Sequence, residues 1–201
     1  MSRMTRESII ADKTAVEAGY VNDPNDLGGE TNCGITKETA YDPAYRDLWD
    51  HFGWDGNMKT LPKELAYAIY TRGWWNKMLL DDVLEFYPML ADRLFDFAIN
   101  AGRVNCGKAF QRVLNALNRQ QKDYPDLVVD GGVGNVTIQA FKAYVTKNGA
   151  EGAAKLTMMM FSMQNYHYVA ISEAREKNET FTNGWVNRVW RDFKIYADSL
   201  F

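Results

Sequence analysis

Two carboxyls and a hydroxyl near the start of the chain could act together: Glu17, Asp26 nine positions later, and Thr31 five beyond that. Glycosidic cleavage asks for two carboxyls with different tasks. One stays protonated and donates to the leaving oxygen; the other is ionised and activates water or stabilises positive charge on the sugar. The environments expected here push two such carboxyls apart. Glu17 falls in the last turn of a helix expected to run from a cap at Ser2 or Thr5 to about Ala18 and to end at Gly19. The negative end of the helix dipole, with Val16, Ala18 and Tyr20 alongside, disfavours the charged form of Glu17. Asp26 stands in the turn-dense run 21–29, rich in Asn, Asp, Pro and Gly, where water keeps a carboxylate ionised. In a chain with 26 acids, a Glu and an Asp at this spacing also fit a surface Glu and a turn-forming Asp. Asp23 competes for the second role, although its place before Pro24 marks it as a turn residue.

The elements that must position these side chains are helices. Apolar residues recur at helical spacing through most of the chain, and no β-rich stretch appears. Thr36 can cap a short helix after Gly34-Ile35. Pro62 opens a helix over 63–75. Pro88 opens one over 89–101, where Leu90, Leu94, Phe97 and Ala101 form a stripe closed by Gly102. Further helices are expected over 106–119, 136–147, 150–177 and 184–200. Asp130-Gly131-Gly132-Val133-Gly134-Asn135 reads as a tight loop and Asn148-Gly149 as a break. The run Met158-Met159-Met160-Phe161 covers every face of its helix, which predicts burial all round. The fold class is all-α with one small irregular or β-hairpin insert after the first helix.

Composition removes several function classes. The chain has 201 residues, 46% hydrophobic and 24% charged, which excludes a disordered or collagen-like polymer. Net charge is -3, with the acidic excess in residues 1–60, so a nucleic-acid partner is not expected. Cys33 and Cys106 are too few for a disulfide framework, and His51 and His167 lack metal-ligand spacing; no metal or cofactor is expected. The longest apolar run, 156–163, is interrupted by Thr157 and Ser162, far short of the roughly 20 residues that span a bilayer. The first twenty residues lack the apolar core of a signal peptide, so none is expected. Aromatics reach 13%, which suits a sugar-binding cleft or a large aromatic core, and Trp74-Trp75 reads as core plus one cleft ring. Tyr20 could contact substrate or order Glu17. Asn100, near a helix end, could hydrogen-bond substrate or a loop backbone.

The segment Glu17-Ala18-Gly19-Tyr20-Val21-Asn22-Asp23-Pro24, continuing Asp26-Leu27-Gly28-Gly29-Glu30-Thr31-Asn32-Cys33-Gly34-Ile35-Thr36, resembles the signature of glycoside hydrolase family 108. Members of that family are N-acetylmuramidases found as phage endolysins and prophage lysis proteins. Ala18 stands where the family has its first Gly. The pieces Asp96-Phe97-Ala98-Ile99-Asn100-Ala101-Gly102, Phe110-Gln111-Arg112-Val113-Leu114-Asn115, Asp130-Gly131-Gly132-Val133-Gly134-Asn135 and Gly184-Trp185-Val186-Asn187-Arg188 are similar to the family's C-terminal peptidoglycan-binding segment, with Asn135 in place of the usual Pro. The order Glu, Asp, Thr also resembles phage-type lysozymes, although Thr31 falls one position closer.

The resemblance implies a lysozyme-like fold, with a catalytic lobe over 1–95 and a helical peptidoglycan-binding segment over 96–201 packed into one unit. It implies hydrolysis of the β-1,4 bond between N-acetylmuramic acid and N-acetylglucosamine. Glu17 would be the general acid, Asp26 the base or electrostatic stabiliser, and Thr31 a holder of water. It further implies a monomer kept in the host cytoplasm until a holin-type partner opens the way to the wall. A lytic transglycosylase, using one Glu and forming an anhydro sugar, and a non-catalytic wall-binding or secretion-accessory protein are the alternatives.

Overall fold

The computed structural model describes residues 4–16, 19–22 and 29–200. Packing divides the chain into two compact units, Met1–Lys77 and Met78–Phe201. The architecture is the expected all-α, lysozyme-like one: among the described residues the only sheet is a two-stranded hairpin.

In the first unit α1 spans Arg6–Val16. Thr5 caps it: the Ser8 amide donates to Thr5 Oγ1 at 3.2 Å, and the Thr5 amide to Ser8 Oγ at 2.9 Å. This reciprocal pair satisfies amides that the first turn leaves without helical partners. Ile9 and Ile10 anchor the helix in the core. The hairpin pairs β1, Thr31–Asn32, with β2, Ile35–Thr36, in the register Thr31 to Thr36 and Asn32 to Ile35. Its two-residue turn, Cys33-Gly34, has φ of 50° and 71°, the positive pair that matches the right-handed twist of an antiparallel ribbon. Val21 adds a third rung, exchanging bonds of 2.8 and 2.9 Å with Thr31. Thr36 then caps α2, Lys37–Ala40, accepting from the Thr39 amide.

α3, Arg46–Phe52, was not foreseen; its seven residues are too few for a periodic stripe. The Trp49 indole donates to the Ala40 carbonyl at 3.0 Å, and Trp54 packs edge-on at 4.3 Å. α4, Lys63–Tyr70, passes into a wide turn over Thr71–Trp75. Gly73 there lies beneath the Tyr45 hydroxyl, where a Cβ would come within 2.2 Å. Trp75 is fully buried, and Trp74 is half-buried against Tyr70.

The second unit holds α5 (Leu80–Phe86), α6 (Pro88–Ala101), α7 (Arg103–Leu117), α8 (Asn135–Ala174) and α9 (Glu179–Asp198). α6 is its centre. Eight of its residues are buried, including Arg93 and Asp96 beside the expected Leu90, Leu94 and Phe97. α6 also spans both sides of the 95–96 sequence division and lies whole within this unit. α8 is broken at Gly149, φ 64° and ψ -159°, so two helices meet where Asn148-Gly149 predicts a break. Met158 corrects the expectation of all-round burial, being 49% exposed while Met160 and Phe161 are buried. One face of α8 therefore meets solvent although its sequence is apolar. Gln111 holds the Asp130 loop: its amide nitrogen donates to Asp130 Oδ1 and the Gly132 carbonyl, and its oxygen accepts from the Gly131 amide at 2.8 Å.

Candidate active site

Glu17, Asp26 and the rival Asp23 lie outside the described residues. In sequence, Glu17 directly follows Val16, the last residue of α1. The side chains described around that segment belong to the hairpin. Thr31 is half-buried, its hydroxyl donating to the Gly29 carbonyl at 3.2 Å. Tyr20 stands next to Val21, the residue that bridges Thr31, so the structure brings Tyr20 and Thr31 into one neighbourhood.

Glu30 organises that neighbourhood. It accepts the Tyr20 hydroxyl at 2.9 Å on Oε1 and the Lys37 ammonium at 2.6 Å on Oε2. The hydrogen bond from Lys37 first, and that from the Tyr20 hydroxyl second, hold the Glu30 carboxyl below its ordinary range. The same bonds raise the Tyr20 phenol and the Lys37 ammonium above theirs. Lys59 sits 5.5 Å from the Tyr20 ring centroid, so a cation faces the ring. The Tyr20 hydroxyl is thus directed at Glu30, and its ring is held in place from two sides.

Glu30 was absent from the candidates read off the sequence, although a signal existed. A two-residue turn at 33–34 pairs 31 with 36 and therefore sets 30 against 37, an acid facing a base. The Lys37 amide bond to the Glu30 carbonyl, 2.7 Å, completes that rung. The next residue inward, Asn32, is buried, and its amide donates to the Met58 carbonyl at 2.7 Å, tying the hairpin to the segment before α4. Cys33 is buried beside it.

A cleft of about 720 Å³ opens in the same unit between α1, α3 and α4. Leu48, Phe52 and Tyr67 give it apolar walls, and Thr14, Thr71 and Arg72 line it with polar groups. Arg72 is pinned by Asp47, with Nη2 to Oδ2 at 2.8 Å, and this pairing keeps the Asp47 carboxyl low. Asn100 belongs to the second unit, where its amide donates to the Asp96 carbonyl one turn back at 2.7 Å. Among the described residues, no group of three His, Cys, Asp or Glu side chains is placed to hold a metal ion, and no helix is long and apolar enough to cross a membrane.

Comparison with known proteins gives these features a family. Residues 11–102 match the model of Glycosyl hydrolase 108, and residues 105–190 match that described as Predicted Peptidoglycan domain. No curated protein matches the chain. Among solved structures, that of Brucella abortus SagA is similar at 26% identity with a TM-score of 0.66, covering 96% of this chain and 94% of that one. The first match runs from the middle of α1 through the hairpin to the end of α6, and the second takes in α7, α8 and most of α9. The chain thus carries a glycosyl hydrolase 108 region, residues 11–102, followed by a peptidoglycan domain, and is a glycosidase that hydrolyses peptidoglycan.

Proposed function

We propose that this protein is an endolysin-type muramidase, cutting the β-1,4 bond between N-acetylmuramic acid and N-acetylglucosamine with Glu17 as general acid. The observation that carries the reading is the family match across the segment that holds Glu17 and the hairpin. Asp26 serves as base or electrostatic stabiliser, and Thr31, on the hairpin rung next to Val21, orients water. Tyr20, its hydroxyl turned to Glu30, presents its ring to substrate. Water attacking opposite the leaving group requires carboxyls roughly 6.5–9.5 Å apart and inverts the product. The protein acts as a monomer, held in the host cytoplasm until a holin-type partner admits it to the wall.

The test is digestion of purified peptidoglycan by the wild type and Glu17→Gln, with mass analysis of fragment ends. Gln keeps the shape of Glu but cannot donate a proton, and general acid catalysis contributes about 10²–10⁴-fold. Reducing ends from the wild type and at least a hundredfold loss in the variant are expected. Asp26→Asn should lose less. Anhydro ends would assign a transglycosylase, and undiminished lysis by Glu17→Gln would remove Glu17 from the mechanism. For the endolysin role, cytoplasmic expression should lyse cells only when the inner membrane is permeabilised.

A further inference from the structure

A second place of unspent charge lies in the other unit, in a pocket between α7 and α8. It is small, about 160 Å³, and its lining includes Phe97, Asn105, Lys108, Arg112, Tyr166 and His167. No Asp or Glu lines it. Lys108 and Arg112 stand one turn apart on α7, which places their Cβ atoms about 6 Å from each other on one face. The helix that carries them, Arg103–Leu117, holds three cations and no acid. Arg93, Arg119, Lys142, Lys147, Lys155 and Arg191 in this unit all form ion pairs. Among the described residues, Lys108 and Arg112 have neither an ion pair nor a hydrogen bond.

The opposite wall is aromatic. Tyr166 is 61% exposed at the rim. His167 is half-buried, 6.0 Å from the Phe97 ring, and burial lowers its basicity, so near neutrality it is an uncharged imidazole able to donate one hydrogen bond. Two free cations, an amide and a phenol over an apolar floor recognise a small anionic group on an aliphatic stem. A glycan would be met differently. A neutral sugar ring would give Lys108 and Arg112 no charge to pair with.

We propose that this pocket binds the free carboxylates of the stem peptides that hang from peptidoglycan strands, holding the wall while the first unit cuts the glycan. The proposal rests on the reading of peptidoglycan as substrate and adds the part of that polymer this pocket takes. Exposed ion pairs are individually weak, and two of them together correspond to about a fivefold to tenfold change in affinity.

The experiment measures co-sedimentation of the full chain with isolated sacculi, native or with their carboxyls capped as amides, alongside reducing-end release from both. The wild type should bind native sacculi about fivefold to tenfold more tightly than capped ones. Lys108→Ala/Arg112→Ala should bind both at the capped level. Lys177→Ala/Lys194→Ala, which removes the same charge elsewhere, should behave as wild type. The proposal is overturned if the first double variant keeps wild-type affinity for native sacculi, if capping changes nothing, or if the charge-matched control loses as much. Relief of binding by inorganic phosphate on native and capped sacculi alike would also overturn it, assigning the cations to phosphate. If the wild type releases no reducing ends yet still discriminates native from capped sacculi, the hydrolase reading fails and the pocket stands.

Discussion

Arg93 offers the sharpest quantitative test of how the second unit is held together. Its side chain is 1% exposed, between Asp96 on its own helix, also 1%, and Asp192 on α9, 10% exposed and 3.6 Å away. The guanidinium lies 4.7 Å over the Phe161 ring of α8, and Gln164 of α8 donates to Asp96 at 3.2 Å. One cation thus stitches three helices in a region water does not reach. Replacing it with Met keeps much of the volume but leaves two carboxylates to face each other without the guanidinium. Removing one partner of a buried pair costs about 3–5 kcal/mol, because the buried charge that remains has lost its compensating cation. At about 4 °C per kcal/mol for a domain of this size, the unit's melting temperature should fall by roughly 10–20 °C. Adding Asp96→Asn to Arg93→Met removes part of the orphaned charge and should recover at least about 1 kcal/mol. Urea denaturation followed by the fluorescence of Trp185 and Trp190 reads both numbers. A loss under about 1 kcal/mol for Arg93→Met, or a double variant less stable than the single, refutes the reasoning.

Three further outcomes follow from particular contacts. A Cβ at Gly107 would come within 2.1 Å of the Gly131 carbonyl oxygen, so Gly107→Ala must displace backbone; a loss of about 1–3 kcal/mol by urea melt is expected, and a neutral result would contradict the close approach. The Glu30 carboxyl is lowered in the folded state, so its contribution is present above the ordinary carboxylate range and is lost as pH falls through the lowered value; Glu30→Gln should flatten the acid limb of hairpin amide exchange, and an unchanged limb would deny that linkage. Cys33 and Cys106 are free and buried, and burial pushes both thiols up, so thiol reagent should count two only after denaturation without reductant; rapid reaction in the native state would contradict their burial.

Local chemistry was legible where it is local. The capping of α2 by Thr36, the start of α6 at Pro88 and the break at Gly149 each depend on a few adjacent residues, and each stands as the sequence reads. α3 and α5 were missed because seven residues show less than two turns of periodicity, and Leu79, the residue before α5, has φ 50° and makes no side-chain cap. The start of the last helix at Glu179 rather than 184 was missed as well, since no strong capping residue marks it. At the candidate site the order of Glu17, Asp26 and Thr31 is a property of the sequence alone. The part played by Glu30 is not, because it depends on which residue stands across the hairpin.

The chemistry-bearing motif, the all-α class and a few helix limits, among them the cap at Thr36, the start at Pro88 and the break at Gly149, follow from the sequence alone, since caps, turns and apolar stripes act within one or two turns of chain. Only the tertiary structure decided which charges are buried and with whom. Arg93 and Asp96 sit on an α6 whose apolar stripe is plain in sequence, yet they are buried because α8 and α9 cover that side of the helix. Lys108 and Arg112, one helix further on, have no such cover or partner among the described residues. The sequence motif ends with α6 while the packing division falls before it, at 77–78, because the apolar surface of α6 is buried against α5, α7 and α8 whatever the motif to which it belongs. Burial and pairing are long-range outcomes, set by which surfaces meet, and no window of a few residues contains them.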